Sequence, residues 1–457
     1  MQRKRLVDDI LSSAPEMEED IVIPSKKRFV IVTQYFSGLG FAKMLKEEGH
    51  DYILATIMKE DEEKKKEFNL VGNGYINKAP YSDALAKEWS GAYFIFDQNH
   101  NEDIAEALRL SGEKVFGATR LKVKLEKDRK FAADLAKQAG LSLPETQEFH
   151  SAEEGIAFLE ENEDRAFVFK PNNSECSHLT YVPNSEKDED ANMELKRRLK
   201  TLTEGTDDYI LQERRKGIEA NFEMWVYEGK PFFAFANLEN KRKLNRDEGE
   251  HVGCAQDIGF CISLESKAIQ KTLMGYLKLP EFSHYTGFLD VNVIIADREN
   301  YFLENCGRFG YNAHPNIFQA LAIDGFGDTM ADFMDGNIKN FYDKFRGGFG
   351  ASVSLYIDHP QQGLPIMIKE DAMKNFYPYD IYEDKDGLYL AAYDNQVGVF
   401  TKYDTTIEDA GEGIINSIFV EDDIVYPDRA LRTDIYKSDY PSAPIKRYRA
   451  LEVIKYI

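Results

Sequence analysis

Cysteine is scarce in this 457-residue chain: Cys176, Cys254, Cys261 and Cys306 stand far apart, without a CxxC pair. So scattered, they supply neither a disulfide frame nor a zinc site, and they predict reduced thiols in a cytoplasmic protein. No run approaches the ~18 consecutive apolar residues of a membrane span. No apolar stretch of secretory length follows the basic start MQRKRLVDDILSS, so no membrane partner is expected. Positive charge is in deficit, with 57 Lys+Arg against 80 Asp+Glu and a formal charge of −23. Binding a nucleic-acid polymer through its phosphates needs a basic face, and the deficit argues against it. A single nucleotide needs only a local pocket or a metal ion and stays open. A GxxxxGK[ST] loop is missing, so any nucleotide is not held by a P-loop. The chain also lacks internal repeats and low-complexity blocks.

What is present is a hydrophobic fraction of 43%, enough for real cores and incompatible with global disorder. At roughly 150 residues per domain the length predicts about three domains. Residues 1–25, with EMEED and few apolar side chains, read as a mobile acidic tail. From KKRFVIVTQYF onward, Phe29–Thr33, Tyr52–Ala55 and GAYFIFD read as buried strands. FAKMLKEEGH, with Phe41, Met44 and Leu45 on one face, reads as a helix. That βαβ rhythm predicts an open sheet over 26–117 with helices on both sides. LKVKLEKDRKFAADLAKQAG reads as one helix ended by Gly140 and Pro144. RAFVFKPNN is a strand delivering Lys170 to a polar turn. TDDYILQERRKGIEANFEMWVYEGKPFFAFANLE reads as antiparallel strands with turns at Lys216-Gly217 and Glu228-Gly229. GFLDVNVIIADRENYFLEN reads as a hairpin turning at Asp297–Asn300. From about residue 331, ASVSLYI, GLYLAAY and VGVFTKY resume strands before the helix IEDAGEGIINSIF.

Three segments could carry chemistry. Lys170 opens onto Asn172, Asn173, Ser174 and Ser177; such short polar residues beside a lysine can cradle phosphate oxygens. The bland alternative is a lysine snorkelling from a strand end. In YILQERRKGIEANF, an apolar strand runs into Gln212 and Glu213, with Glu219 further along. A strand-to-loop backbone can read an adenine edge while a carboxylate accepts bonds from ribose hydroxyls; a charged exposed hairpin is the alternative. In the third segment Asp290 and Asn292 share one strand face, and the returning strand brings Glu304 back towards it. Facing oxygen donors of this kind suit Mg2+, which keeps waters and bridges phosphates. Arg308 follows on a glycine-flanked turn, where a guanidinium can hold a phosphoryl or carboxylate group.

These segments, in this order, resemble the ATP-grasp superfamily and within it the phosphoribosylamine–glycine ligases. YTGFLDVNVII followed by LENCGRFG is similar to their YTGFL-type strand and E-F-N-x-R-F-G signature. Gly117-Ala118-Thr119 with LEKDRKFAADLA resembles their G-P-T and L-E-x-S-K-x-F-A-K helix. NKRKLNRDEGEHVG resembles their H-K-R-x-x-D-x-D-T-G loop, and IVYPDRALRTDI their Y-R-x-D-I motif. The resemblance spans about residues 29–440. It implies an α/β (α+β) ATP-grasp fold: a βαβ domain over 26–117, an ATP-grasp body over 118–330 with a β-rich lid at about 166–235, and a β-rich domain over 331–457. It implies ATP and Mg2+ as cofactors and a small-molecule carboxylate and amine as substrates. Lys170 would contact ATP phosphates, with Arg129, or Lys130 if the register shifts by one, beside it. Gln212 and Glu213 would flank the adenine and Glu219 the ribose. Glu304 would bind Mg2+, supported by Asn305, Asn292 or Asp290. Arg308 would hold a phosphate or acyl phosphate, and Lys241, Arg242 and Asp247 would face the substrate.

Two departures stand out. Cys306 occupies the position of the family's metal-binding Asn, and a thiol suits a hard cation poorly. TQYFSGLGF replaces the G-x-G-G-R-E-H turn that helps hold phosphoribosylamine in the family. The implied activity is therefore a carboxylate–amine ligase with altered substrate. The alternatives are the purine-pathway ligase itself, or an ATP-binding sensor or scaffold weakened in catalysis.

Overall fold

The computed structural model describes residues 26–85, 89, 91–171, 180–183, 187–201, 208–419, 424–425 and 438–457. The acidic tail and Asn172, Asn173, Ser174 and Ser177 lie outside them, as does most of IVYPDRALRTDI.

Five short strands open the fold: β1 (Arg28–Thr33), β2 (Asp51–Thr56), β3 (Lys78–Pro80), β4 (Tyr93–Phe96) and β5 (Lys114–Phe116). They form one parallel sheet in the order β3-β2-β1-β4-β5. The apolar runs of β1, β2 and β4 are buried on both faces, as a parallel sheet requires. The chain leaves β1 towards β2 and later returns to β4 on the other side, so a topological switch point lies between β1 and β4. Helix Leu39–Glu47 follows β1 and packs Phe41 flat on Phe326, with ring centroids 4.3 Å apart. Gly40 lets Tyr377 pack against the same helix: a Cβ there would sit 2.4 Å from its ring.

Next comes a pair of helices rather than the single one predicted. Arg120–Lys127 and Arg129–Gln138 meet at Asp128, whose carboxylate accepts the Phe131 N–H at 2.9 Å. Aspartate is a strong N-cap, and its non-helical backbone breaks the run. Strands β6 (Thr146–Phe149), β7 (Phe167–Pro171) and β8 (Tyr209–Glu213) then form a three-stranded sheet ordered β6-β8-β7. With helices Ala152–Glu161 and Asp188–Leu199 it encloses its own core, including Phe149, Leu159, Phe169 and Leu211.

The body is an eight-stranded antiparallel sheet. It contains β9 (Ile218–Tyr227), β10 (Lys230–Leu244), β11 (Glu248–Cys261), β12 (Gly287–Ala296) and β13 (Glu299–Glu304). Three later strands complete it: β14 (Phe349–Tyr356), β16 (Phe376–Pro378) and β19 (Gln396–Asp404), in the order β13-β12-β9-β10-β11-β14-β19-β16. The small strands β15 (Pro365–Ile368), β17 (Ile381–Asp384) and β18 (Gly387–Leu390) form a separate sheet with a strand at Ile424–Val425.

Three local expectations change. β8 and β9 are sequential but belong to different sheets, so TDDYILQ and IEANF are not an antiparallel pair. The independent module runs from β6 to β8, whereas 218–235 of the expected 166–235 lies in the central sheet. That sheet also crosses residue 330 without a break, because the edge of β11 pairs with β14 (Gln256 opposite Val353). The β12–β13 hairpin is as expected, tightened to the two residues Asp297 and Arg298, both at positive φ (52° and 69°). Among the described residues no helix is long and apolar enough to cross a membrane.

Candidate active site

On β9 the sequence IEANFEM alternates strictly. Ala220, Phe222 and Met224 point into one core, leaving Glu219, Asn221 and Glu223 on the opposite face. β12 places Ile294, Asn292 and Asp290 opposite those three in register, and β13 sets Glu304 opposite Asn292. A polar stripe thus crosses three strands and floors a cleft of ≈3090 Å³. The three-stranded module and the loops at the carboxyl ends of β1 and β4 form its other walls. Arg129, Lys130, Lys170, Gln212, Glu213, Glu219, Lys241, Asp290, Asn292, Glu304, Asn305 and Arg308 all line this one cleft. These twelve candidates, more than 170 positions apart at their extremes, therefore converge; Asp247 is not among the residues that line the cleft.

The centre is Lys241. Its Nζ stands 3.1 Å from Glu219 Oε1, 3.3 Å from Glu304 Oε1 and 3.9 Å from Glu239 Oε2. Burial opposes the ammonium charge, but Glu219, Glu304 and Glu239 outweigh it and raise its pKa. Reciprocally, Lys241, with help from Lys170 and Arg129, holds Glu304 down at about 2 against the cost of burial. Glu304 lines the cleft with 63% of its side chain exposed, so its charge stays reachable. Burial works against ionised Glu219 too, yet Lys241, Arg447 and the Asn292 amide (3.3 Å) bring its pKa below the ordinary value. Glu239, buried beside Glu304 and Glu219, is shifted up.

Lys170, at the end of β7, projects into the same cleft. Burial lowers its pKa to about 8, with Arg129 and Lys241 adding repulsion and Glu304 resisting. Burial also lowers Arg129. Gln212 donates to Thr146 Oγ1 at 3.2 Å. Glu213 is tied to Arg215 at 2.5 Å and lies 3.5 Å from Arg165. Arg308 donates from Nε to Glu126 at 3.0 Å and stacks 4.9 Å from the Tyr311 ring. Arg242 donates to the carbonyls of Gly249 (2.8 Å) and Val182 (2.9 Å), tying the β10–β11 turn to the segment after β7.

The oxygen donors expected for a metal are not equivalent. Asn292 Oδ1 and Asn221 Oδ1 are buried without a hydrogen-bond partner, the condition of atoms awaiting a cation or a donor. Asp290 is committed differently: it accepts the Cys306 N–H and the Asn221 amide (3.3 Å), and burial beside Glu223 pushes its pKa well up. Asn305 donates to the Asp290 carbonyl at 2.6 Å and accepts from Tyr276 at 3.3 Å, so its amide is used internally rather than offered to a ligand. Among the described residues no three His, Cys, Asp or Glu side chains form a cage. Glu304 with Asn292 fits Mg2+ in its usual manner, one carboxylate with waters and phosphate oxygens completing the shell.

Several lining residues escaped the sequence reading. Asn221 and Glu223 were marked by the β9 alternation. Glu239, two residues before Lys241, carries the same signal. Glu126 stood within LEKDRKFAADLA without a role assigned to it, and Arg447 had no local mark. Arg447, on the C-terminal helix Ser442–Val453, donates to the Glu239 carbonyl at 2.7 Å and to Asn240 Oδ1 at 3.1 Å. His314 receives the Gly310 N–H on Nδ1 (2.7 Å) and turns Nε2 towards Glu223, 3.4 Å away.

No family model matches the chain, and no curated protein matches it at sequence level. Solved structures do match. Phosphoribosylamine–glycine ligase of Thermotoga maritima superposes with a TM-score of 0.61 at 16% identity, over 88% of this chain and 97% of that one. A biotin carboxylase from Campylobacter jejuni, solved as a beta-gamma-ATP complex, gives 0.56 at 12% identity over 91% and 98%. L-amino acid ligase of Bacillus licheniformis gives 0.54 at 13% identity over 88% and 99%. At these identities the likeness speaks for architecture alone. The parallel sheet, the small three-stranded module and the antiparallel body together are the ATP-grasp fold, and the chain resembles phosphoribosylamine–glycine ligase in it.

Proposed function

We propose that this protein is an ATP-dependent carboxylate–amine ligase that forms an amide through an acyl phosphate, with a substrate other than that of the purine-pathway ligase. The observation that carries this reading is the meeting of Lys170, Arg129, Lys241 and Arg308 with an ionised, open Glu304 in one cleft of an ATP-grasp fold. Lys170 and Arg129, beside the Lys241–carboxylate cluster, suit a triphosphate, and an oxygen donor held ionised suits its counter-ion.

In the proposed reaction the carboxylate oxygen attacks the γ-phosphorus, the bond to the β–γ bridging oxygen breaks, and ADP leaves. The amine nitrogen then attacks the acyl carbon, phosphate departs and a proton is lost from nitrogen. Phosphoryl transfer of this kind depends on positioning and charge neutralisation. Lys170, with Arg129 or Lys130, would hold the phosphates. Gln212 and Glu213 would flank the adenine, and Glu219 the ribose. Arg308, braced by Glu126, would meet the acyl phosphate. Glu304 and Asn292 would hold Mg2+, which when bound neutralises phosphate charge. Asp290 would stand behind them. An acyl phosphate hydrolyses in water, so the site must close. The β6–β8 module, with a core of its own, would move as the lid on a ~μs–ms timescale.

The test is ADP release screened over amino acids, other carboxylates and amines. Stimulation by one acid–amine pair is expected. Tight ATP binding without turnover over the whole panel would instead favour a nucleotide sensor. The hydrogen bond from Cys306 N to Asp290, which occupies an oxygen the metal could use, is the observation favouring that second reading.

A further inference from the structure

At the switch point of a doubly wound sheet, the helix after β1 normally presents its first backbone N–H groups to an anionic ligand. Here Asp97, the residue just after β4, lies across that turn. Its Oδ2 accepts from Gly38 N–H at 2.7 Å, Ser37 Oγ at 2.8 Å and Thr33 Oγ1 at 2.5 Å. Thr33 Oγ1 in turn accepts the Phe36 N–H at 2.9 Å, and Gln98 donates to Ser37 Oγ at 2.8 Å. Tyr377 closes the far side by donating to the Ser37 carbonyl at 2.7 Å. Asp97 is 1% exposed, whereas its neighbours Gln98, Asn99 and His100 line the cleft. The donors that could receive a phosphate are therefore already bound to a carboxylate of the chain itself, beneath the cleft surface.

Beyond Arg308 the cleft continues past this turn into a lobe lined by Tyr35, His100, Tyr311, Tyr379, Asp394 and Gln396. Two cations also face this lobe, Lys59 at 4.6 Å from the Tyr35 ring and Arg308 at 4.9 Å from the Tyr311 ring, so its lining is of mixed charge and the closed turn alone speaks against a phosphate. We infer that Asp97 is an internal substitute for a substrate phosphate, so that the amine accepted in this lobe carries no phosphate group. The inference rests on the ligase reading for the word amine; the closed turn stands on geometry alone.

Calorimetric titration of the full chain with ribose 5-phosphate, without nucleotide, reads the turn directly, and a separate ATP titration reads the ligase hypothesis. The wild type is expected to show no saturable heat with ribose 5-phosphate. Asp97→Ala, which frees Gly38 N–H, Ser37 and Thr33, is expected to gain at least tenfold in affinity for inorganic phosphate. Paired amines, serine against phosphoserine and glucosamine against glucosamine 6-phosphate, are expected to stimulate ADP release only in the unphosphorylated form. Saturable binding of ribose 5-phosphate by the wild type, weakened tenfold by Ser37→Ala, would overturn the inference. So would a folded Asp97→Ala that ignores phosphate, or preference for the phosphorylated amine. If Asp97→Ala does not fold, the wild-type titration still decides. Failure of the ATP titration alone would count against the ligase reading and not against the closed turn.

Discussion

Glu304 and Asp97 are both carboxylates that meet several donors at the edge of the same cleft, yet they are used in opposite ways. Glu304 ends a hairpin strand, meets Lys241 at 3.3 Å, and remains 63% exposed. Asp97 ends a buried parallel strand and spends its charge on three groups of its own chain. Burial pushes Asp97 up to about 6, with the Thr33, Ser37 and Gly38 bonds resisting, while Lys241 chiefly holds Glu304 down at about 2. The difference teaches that polar convergence alone does not mark a ligand site. What counts is whether the donors and acceptors remain short of partners once the chain has folded.

The comparison breaks first at Glu304 and Lys170. Glu304→Ala and Lys170→Ala should each cut ADP release by at least about 100-fold, the scale of losing a charge-stabilising group. Full activity in both variants, measured by a coupled ADP assay, would remove the assignment. Next comes pH. Lys170 is charged below its pKa of about 8 and neutral above it, so ADP release should fall as pH rises through about 8. Lys170→Arg should move that limb upward; an unmoved limb would show that another group titrates there.

Asp97 sharpens the opposite side through stability. Its folded pKa lies above the ordinary carboxylate value of 3.8, so the stabilisation is complete below about 4 and lost as pH rises to about 6. A shift of this size corresponds to about 3 kcal/mol. Denaturant midpoints of the wild type should therefore decline between pH 4 and 6 more steeply than those of Asp97→Asn; parallel curves would contradict the burial account.

The smallest effect belongs to Lys122, a third kind of charge. Its ammonium is fully buried without a hydrogen-bond partner, 4.8 Å from the Phe116 ring and 5.6 Å from Tyr285, and burial lowers its pKa to about 7. It passes Gly287, where a Cβ would come within 2.2 Å of Nζ. Lys122→Met should leave the fold as stable or raise its stability by about 1–3 kcal/mol, the cost of an unsatisfied buried group. A large loss by urea denaturation would mean that the aromatic rings hold the cation more strongly than its desolvation costs.

Local patterns carried much of this in the sequence. Short β-branched runs announced β1, β2 and β4, and the apolar arms around Asp297 announced the hairpin that aligns Asn292 with Glu304. Periodicity is local, so these elements depend on neighbours within a few residues. The break at Asp128 was legible too, as an N-cap that the apolar period concealed. Assignment of β8 and β9 to different sheets was not, since strand pairing is a long-range choice.

The sequence by itself determined which residue types were available, where the polar faces of the strands lay, and an acidic surplus that argues against a polyanion as ligand. Only the tertiary structure decided that Lys241 sits among three carboxylates, that Arg447 reaches Glu239 from the far end of the chain, and that Asp97 closes the turn after β1. Each of those depends on distances between segments remote in sequence, and electrostatic and hydrogen-bond energies respond to such distances rather than to order along the chain.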